Sequence, residues 1–370
     1  MATERTEAMD AFLAVSGWGP ATRMPLPGDA STRRYVRLAM NGRRAMLMDQ
    51  PQSAETPPAP ADATPDERRA LGYNALARLA GGDVARFVAV SKFLRANGLS
   101  APEVLAADPR LGFAILEDLG DDLYADVLGR GGNEFELYAA AADVLARLHE
   151  EAAPAAMPGG VALYPYDETA QIAEIDLVTD WFFPLALGRA ARADEVDEHR
   201  ALWRKALDET RKAAPVFIHR DYHAQNLLWL PGREGVARVG LIDFQDAVAG
   251  SRAQDLMHLV EDARRDVSPE LAEATKAHYL RAMAEHGVAL DAERFGAEMA
   301  IIAAQRNARI VGVFSRLYKR DGKARYLAFL PRVWGYLNGD LEHPALGGLK
   351  AWYDRTIPRE KRGAPEGLAA

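Results

Sequence analysis

The sequence predicts an α+β protein with a small β-rich N-terminal lobe and a larger, mainly helical C-terminal lobe. Short strand patterns gather in the first third of the chain, and helical patterns fill the rest around one embedded strand–loop–strand unit. This order differs from the regular alternation of strand and helix that marks a parallel α/β sheet. We place the boundary after residue 118, which gives an N-terminal lobe of residues 1–118 and a helical lobe of residues 119–370.

Composition limits the classes of function open to this chain. It has 370 residues, 49% hydrophobic and 26% charged, which is enough to form a buried core in each of two lobes. The formal net charge of −8 offers no basic field, and we expect no nucleic-acid partner. The absence of cysteine excludes disulfides, Cys-ligated zinc and a cysteine nucleophile.

Charge and apolar run length argue against membrane insertion. The stretch "MATERTEAMD" carries charges where a signal peptide needs an apolar core. No run reaches the roughly 18–20 apolar residues that a membrane helix needs. We expect a soluble, cytoplasmic protein without a membrane partner, and we expect it to be a monomer.

The first lobe begins with a short helix followed by a hairpin. Helical spacing joins four apolar residues, Met9, Phe12, Leu13 and Trp18. Side chains then alternate through 35–38, and Asn41-Gly42 is a strong hairpin signal before a second strand at 45–48.

The remainder of the first lobe leads to a polar turn between the lobes. The stretch "PQSAETPPAPADATP" (51–65) is rich in Pro and Ala and indicates a loop, whose use as a mobile lid is left open. A helix follows at 84–96, ended by Asn97-Gly98. The apolar run 113–116 predicts a buried strand that enters the turn "EDLGDD".

The second lobe is predicted as helices around one hairpin. Asn133 is a candidate N-cap with Glu136 three residues later, and apolar residues then recur on one helical face. Helical pieces continue through 176–212, and two strands within 216–244 turn at Gly232 to Gly235.

The stretch "HRDYHAQN" (219–226) carries the chemistry. In phosphoryl transfer, one carboxylate orients the attacking hydroxyl and accepts its proton, and oxygen ligands hold Mg²⁺ against the phosphates. Asp221, at the end of a strand, is the candidate for the first role. Asn226 and Asp243, which the hairpin brings together, are the candidates for the second. A lone Asp at such a place is usually a turn former, so the prediction depends on the ordered set.

Two segments, "FIHRDYHAQNLLWL" and "VGLIDFQDAVAGSRAQDL", resemble the aminoglycoside phosphotransferase and choline kinase-like superfamily. The resemblance implies a protein kinase-like two-lobe fold with ATP and Mg²⁺ as cofactors. His223 stands where the small-molecule branch commonly has His and protein kinases have Lys. The resemblance also implies that Asp255 braces the catalytic loop through backbone hydrogen bonds, with His219 as a second structural residue.

Two further stretches resemble the nucleotide-binding parts of this superfamily. "GDASTRRYVRL" resembles the loop that covers the nucleotide, which implies roles for Gly28, Ser31 and Thr32. "ILEDLGDD" resembles the hinge that binds adenine through main-chain groups, here those of Glu117 and Leu119. Taken alone, each stretch is an ordinary turn pattern.

One departure from the superfamily pattern concerns the third strand. Kinases usually carry a Lys there, and the matching stretch "RRAMLMDQP" has Met48 at that place. Another cation is therefore expected to reach the phosphates, unless loop amides and Mg²⁺ suffice. The unranked candidates are Arg34, Arg37, Arg43 and Arg44.

A closer resemblance suggests the acceptor. From about residue 9 to residue 337, stretches such as "GFAILEDLGDDLY" and "QRNARIVGVFSRLYKRDGKARYLAFLPRVWGYL" resemble the bacterial amino-sugar kinases of cell-wall recycling. This implies ATP-dependent phosphorylation of the anomeric hydroxyl of N-acetylmuramate and N-acetylglucosamine during peptidoglycan recycling.

A sugar acceptor needs polar groups for its hydroxyls and an aromatic face for its ring. The candidates are Asp180, Trp181, His223, Gln225 and Arg306. Arg306 and Arg309 could pair with the lactyl carboxylate of N-acetylmuramate, although a surface salt bridge is the more ordinary role for either. The Trp-Phe-Phe cluster at Trp181 is more often part of a core.

Three alternatives stay open at this point. An aminoglycoside or choline kinase would share every core motif, and it would need an acidic acceptor pocket. A non-catalytic nucleotide-binding protein is favoured only by Met48. A Ser/Thr protein kinase fits less well, because "AQDL" follows "DFQD" too soon to leave room for an activation segment.

Overall fold

The structure is a computed structural model that describes residues 2–27, 33–51 and 58–364. Three of the predicted nucleotide-binding residues, Gly28, Ser31 and Thr32, lie outside the described residues. Residues 52–57 of the predicted loop 51–65 lie outside them as well.

Strands and helices alternate unevenly along the chain. The described strands are β1 Thr22–Pro25, β2 Arg34–Met40, β3 Arg43–Asp49, β4 Val104–Asp108, β5 Phe113–Leu116, β6 Ala156–Met157, β7 Val161–Ala162, β8 Val216–Ile218, β9 Leu227–Trp229, β10 Val239–Leu241 and β11 Val248–Gly250. The described α-helices are α1 Ala2–Val15, α2 Pro65–Leu71, α3 Tyr73–Leu76, α4 Val84–Ala96, α5 Tyr124–Gly129, α6 Glu134–His149, α7 Glu168–Leu177, α8 Ala193–Thr210, α9 Ala253–Val260, α10 Pro269–Glu285, α11 Ala292–Asp321, α12 Leu330–Asp340 and α13 Gly347–Thr356. A π-helical segment, Val178–Leu187, directly continues α7.

The chain divides into two compact units that are not contiguous in sequence. Unit 1 comprises Met1–Gly132, Pro154–Tyr164 and Gln225–Ala247. Unit 2 comprises Asn133–Ala153, Pro165–Ala224 and Val248–Ala370. The lobe boundary after residue 118 stays a prediction.

Unit 1 contains an antiparallel sheet in the order β1-β2-β3-β5-β4. The predicted hairpin is confirmed, with Arg34 paired to Asp49 and Met40 to Arg43. Its turn residues Asn41 (φ 50°) and Gly42 (φ 75°) both adopt left-handed conformations, as the tight turn between twisted strands requires. The predicted strand 113–116 is also confirmed and is buried along its whole length.

The two faces of this sheet have different surroundings, because side chains alternate along a strand. Leu38, Ala45 and Leu47 share a core with Phe12 and Leu13 of α1. Burying each large side chain contributes about 1.5–3 kcal/mol, which holds α1 on this face. The opposite face presents a set of alternating residues, Tyr35, Arg37, Met46 and Met48.

A second hairpin of unit 1 carries the motif residues. Strands β9 and β10 pair antiparallel, with Leu241 opposite Leu227, which confirms the predicted strand–turn–strand pattern. Ser100, after α4, anchors this hairpin: its carbonyl accepts from the Leu241 amide at 2.9 Å, and its Oγ donates to the Ala237 carbonyl at 2.6 Å.

Unit 2 is built around the 30-residue helix α11. Its core joins α11 to the π-helical segment, α8, α12 and α13 through residues such as Phe182, Trp203 and Trp334. Gly312 allows the closest approach, because a Cβ there would lie 2.5 Å from the Leu177 carbonyl carbon. The predicted cap at Asn133 is confirmed, since its side chain accepts from the Glu136 amide. Among the described residues, no helix is long and apolar enough to cross a membrane.

Candidate active site

A cleft of about 1030 Å³ opens in unit 1 beside the sheet and the first half of α1. Its volume lies at the upper end of the range for small-molecule sites, about 300–1,000 Å³. Its walls come from the sheet, from α1, from the turn after β5 and from the open end of the β9–β10 hairpin. The lining includes Tyr35, Arg37, Met46, Leu116, Glu117, Leu119, Asn226 and Asp243.

Asn226 and Asp243 lie together at the end of the β9–β10 hairpin. Asn226 directly precedes β9, and its carbonyl accepts from the Ile242 amide at 3.1 Å. Asp243 follows Ile242 in the chain, and its side chain is 43% exposed. Its φ of 62° is unusual for a residue with a side chain, and such strain concentrates at functional sites. The hairpin thus brings together two oxygen-bearing side chains in the cleft wall.

Arg33 is the cation that contacts Asp243. Its Nη1 donates to Asp243 Oδ1 at 3.0 Å and to Gln245 Oε1 at 3.1 Å, and its Nε donates to Gln50 Oε1 at 2.9 Å. Burial opposes the charge, but Tyr35 and Asp243 outweigh it and raise the pKa of the guanidinium. Sequence reasoning missed Arg33. This residue directly precedes β2, so the alternation of side chains along the strand does not predict which side of the sheet it faces.

The four arginines proposed from the sequence have other surroundings. Arg37 pairs with Asp118 at 2.8 Å and Asp121 at 2.6 Å, and so joins the sheet to the polar turn. Arg43 lies 4.9 Å over the ring of Trp18, on the side of the sheet where α1 packs. Arg34 and Arg44 are exposed.

Both predicted hinge residues line the cleft. The Glu117 amide donates to the Glu103 carbonyl at 2.8 Å, so this residue can offer a ligand its carbonyl oxygen but not its N–H. The Glu117 carboxylate pairs with Arg233 at 2.5 Å. Leu119 lines the cleft beside Gly120, whose amide donates to Asp118 Oδ1 at 3.1 Å.

The backbone that carries Asp221 is held within unit 2 by a buried carboxylate. Asp255 accepts from the His219 amide at 2.5 Å and from the Arg220 amide at 2.8 Å. Burial raises the pKa of Asp255 to about 7, although both amides favour the charged form. Arg220 has a left-handed φ of 79°, which these contacts hold in place just before Asp221. His219 is also buried, with its ring edge against Tyr222.

A buried ionic cluster fixes the side chain of Arg220. Glu174 pairs with Arg220, and both side chains are fully buried. Arg309 Nε lies 3.4 Å from the Glu174 carboxylate, and the Tyr166 hydroxyl donates to it. Burial would raise the pKa of Glu174, but Arg309 and Arg220 outweigh it and lower that pKa. Sequence reasoning missed Glu174, since nothing local in helix α7 distinguishes it from a surface acid.

The predicted acceptor-side residues are spread over both units. His223, in unit 2, is buried, with its Nε2 3.3 Å from Arg264 Nη1. Asp180 is at the surface of the π-helical segment, where partial burial and nearby Asp176 raise its pKa. Trp181 is half-buried, whereas Phe182 and Phe183 belong to the core. Gln225 is an exposed residue of unit 1.

The expectation that Arg306 and Arg309 form salt bridges at the surface is wrong. Arg306 is 2% exposed, and its Nη1 donates to the Glu261 carbonyl at 2.8 Å and to Asn307 Oδ1 at 3.0 Å. Arg309 instead pairs inside unit 2 with Glu174. Arg306 is therefore an interior residue of α11 and Arg309 is partly buried. A direct contact of Arg306 with a sugar stays a prediction.

Comparison with known proteins identifies the family. A family model described as "Phosphotransferase enzyme family" matches residues 22–289. The chain belongs to the phosphotransferase enzyme family. It is 48% identical over 368 residues to a Caulobacter vibrioides protein named N-acetylmuramate/N-acetylglucosamine kinase, covering 98% of this chain and 99% of that protein. A Pseudomonas aeruginosa protein of the same name is 31% identical and covers 88% of this chain and 86% of its own length.

Solved structures support the fold of this phosphotransferase. A choline/ethanolamine kinase family protein from Mesorhizobium loti matches with a TM-score of 0.53 at 16% identity, over 94% of this chain and 98% of that chain. The ADP-bound aminoglycoside phosphotransferase APH(2'')-Ib matches with a TM-score of 0.53 at 14% identity, over 91% of this chain and 97% of that chain. The predicted kinase-like α+β class is confirmed, and the chain is a phosphotransferase enzyme.

Proposed function

We propose that this enzyme uses Mg-ATP to phosphorylate the anomeric hydroxyl of N-acetylmuramate, N-acetylglucosamine or both, as a step of peptidoglycan recycling. The observation that carries the proposal is the near full-length similarity to proteins named for these two sugars. The ordered set Asp221, Asn226 and Asp243 supports it, because each lies in a segment that the fold holds in a defined and partly strained conformation.

ATP binds in the cleft of unit 1. The adenine is held at the turn after β5, where the carbonyl of Glu117 accepts a hydrogen bond and the main chain of Leu119 supplies a donor. The Glu117 amide already donates to the Glu103 carbonyl, so the Glu117 carbonyl is the main-chain group of this residue that remains to bind adenine. The apolar lining, which includes Met46 and Leu116, suits a flat aromatic base.

Mg²⁺ is held by Asn226 and Asp243. Both offer oxygen atoms, which this cation prefers, and both line the same cleft. Two protein ligands fit Mg²⁺, since it usually takes its remaining oxygens from phosphates and water. When bound, the ion neutralises charge on the phosphate oxygens during transfer.

Asp221 orients the acceptor hydroxyl and accepts its proton. The hydroxyl oxygen forms a bond to the γ-phosphorus of ATP, the bond from that phosphorus to the ADP oxygen breaks, and Asp221 takes the released proton. The loop that carries it is rigid, because Asp255 holds two of its amides and Glu174 holds the Arg220 side chain. Such positioning is most of what a phosphotransferase must supply.

The acceptor side of unit 2 favours a neutral or anionic sugar. Burial first, and then the neighbouring Arg306 and Arg309, lower the pKa of the buried His258. Arg264 contacts His223 in the same unit. The guanidinium of Arg264 beside His223 would attract the carboxylate of N-acetylmuramate and repel the cation of an aminoglycoside or choline. Asp180, Trp181, His223 and Gln225 are the proposed acceptor contacts; a cytoplasmic location and a monomeric state are predictions as well.

The test is an assay of ATP consumption with N-acetylmuramate, N-acetylglucosamine, choline and an aminoglycoside. We expect turnover with one or both amino sugars and none with the cationic compounds. Because an anomeric phosphate is labile in mild acid, the product should release its phosphate there. A product that survives mild acid would contradict the anomeric assignment, and turnover of the aminoglycoside alone would contradict the acceptor class.

A further inference from the structure

The third strand of unit 1 lacks a charged residue at the place where a kinase lysine is expected. Met48 is 1% exposed and faces the same side of the sheet as its strand partner Tyr35. A small void beside it is lined by Met48, Arg33 and Gln245. The guanidinium of Arg33 therefore lies in the neighbourhood that a longer charged side chain at Met48 would enter.

Arg33 is held in this place by several acceptors at once. Its Nη1 bonds both Asp243 and Gln245, and its Nε bonds Gln50. The side chain is only 9% exposed. Burying a charge costs several kcal/mol unless it is paired and hydrogen-bonded, so this cation is positioned by its partners. Arginine suits the place because its planar fork donates in several fixed directions.

Other arginines of the cleft wall are directed elsewhere. Arg5 pairs with Asp49, at the far end of the β2–β3 ladder from the turn. Arg37 is engaged by Asp118 and Asp121 of the polar turn. Arg34 also lines the cleft and is exposed. Arg33, in contrast, contacts the proposed metal-binding carboxylate of Asp243.

We propose that Arg33 binds the phosphates of the nucleotide beside Asp243, and so supplies the charge that Met48 cannot. The proposal rests on the proposed function, because it assumes that ATP occupies the cleft. Without nucleotide, Arg33 and Asp243 neutralise each other. With nucleotide, donors of the same guanidinium bond phosphate oxygens, for which its fork is well matched.

The experiment measures nucleotide binding without any acceptor sugar. Calorimetric titrations use ADP in EDTA, a non-hydrolysable ATP analogue with Mg²⁺, and adenosine, against the wild type and Arg33→Met. Loss of one charged hydrogen-bond donor predicts affinities for ADP and the analogue that are weaker by about tenfold to a hundredfold. Adenosine has no phosphate, and its affinity should stay within about twofold of the wild type.

Arg43→Met is the matched control. It removes one arginine from the same sheet, on the side that packs α1, and should bind all three ligands as the wild type does. Arg33→Lys keeps the charge without the fork, and we expect intermediate affinity for ADP. If Arg33→Met fails to fold, Arg33→Lys provides the test, because a weaker affinity for ADP in this variant would still report the loss of the fork.

The outcomes separate direct contact from other roles. Unchanged affinity of Arg33→Met for ADP in EDTA, with weaker binding only when Mg²⁺ is present, would mean that Arg33 acts through Asp243 and would overturn the proposal. Equal losses for ADP and adenosine would reduce Arg33 to a structural residue. A wild-type protein that binds neither ADP nor the ATP analogue would instead refute the proposed function.

Discussion

The two segments that carry the motif carboxylates are supported in different ways. Asp243 in unit 1 is 43% exposed and is contacted by the side chains of Arg33 and Gln245. The loop of Asp221 in unit 2 is fixed through its backbone by Asp255, which is fully buried. Side-chain contacts at a cleft can be exchanged for ligand contacts, whereas a buried carboxylate on backbone amides cannot move without disrupting the fold. The contrast suits the roles proposed for the two residues, in which Asp243 receives a metal and Asp221 stays fixed.

Removal of the buried charge in unit 2 should have the largest effect. Glu174→Gln leaves Arg220 and Arg309 inside unit 2 without their carboxylate, and breaking a buried ion pair costs about 3–5 kcal/mol. We expect the free energy of unfolding, measured with urea, to fall by that amount. An exposed pair provides the control: Glu198→Gln, which loses Arg355, should change it by less than about 1 kcal/mol. Equal effects in the two variants would refute the view that this loop depends on its buried support.

Asp221→Asn should act on the reaction and leave the fold intact. Loss of the group that accepts the proton should lower kcat by about 10²-fold or more, the usual size of such a contribution. The thermal unfolding midpoint and the affinity for ADP should match the wild type, because nucleotide binding is proposed in unit 1. Turnover within a few-fold of the wild type would remove the catalytic role proposed for Asp221.

The support of the catalytic loop should also depend on pH. Burial raises the pKa of Asp255 to about 7 in the folded protein, against the ordinary 3.8 expected in the unfolded chain. Between these two values the folded state binds a proton on Asp255 that the unfolded chain has released. The stabilisation of the folded state by this proton is complete below about pH 4 and is lost as the pH rises towards 7. The difference in unfolding free energy between wild type and Asp255→Asn should fall across this window, by at most about 1.4 kcal/mol per pH unit. A difference that stays flat from pH 4 to pH 7 would contradict the raised pKa.

A modest effect on stability is expected from the loss of a partner of Asp243. Gln245→Ala removes a bond to Asp243 and one from Arg33, and should lower the unfolding free energy by about 1 kcal/mol. The concentration of Mg²⁺ needed for half-maximal turnover should rise, because Asp243 loses an orienting partner. If Gln245→Ala destabilised the protein as much as Glu174→Gln does, the difference in support between the two segments would disappear.

Local signals account for the parts of the fold that the sequence predicted well. Asn41-Gly42 set the hairpin, Asn133 capped α6, and Asn97-Gly98 ended α4, each within a few residues of the element it controls. Strand β1 was not predicted because it is a short, largely exposed edge strand with no alternating pattern. Strand β4 was missed as well, because it is short and three of its five residues, two alanines and one aspartate, are of types depleted in strands.

Long-range partners account for what the sequence could not predict. Arg33 and Asp243 are 210 residues apart, and Arg220 and Glu174 are 46 residues apart. No spacing rule connects such pairs, and only the folded chain brings them together. The same limit applies to Arg306, whose place in the interior depends on how helix α11 packs.

The anchoring of the β9–β10 hairpin by Ser100 has a consequence for dissecting this chain. The hairpin stands about 130 residues after Ser100 in sequence, yet its Leu241 amide and Ala237 carbonyl are both satisfied there. A fragment that ended at the predicted lobe boundary would leave the Ser100 carbonyl and hydroxyl without these partners. A graft or chimera that preserves the proposed nucleotide cleft must therefore carry residues 225–247 along with the N-terminal segment.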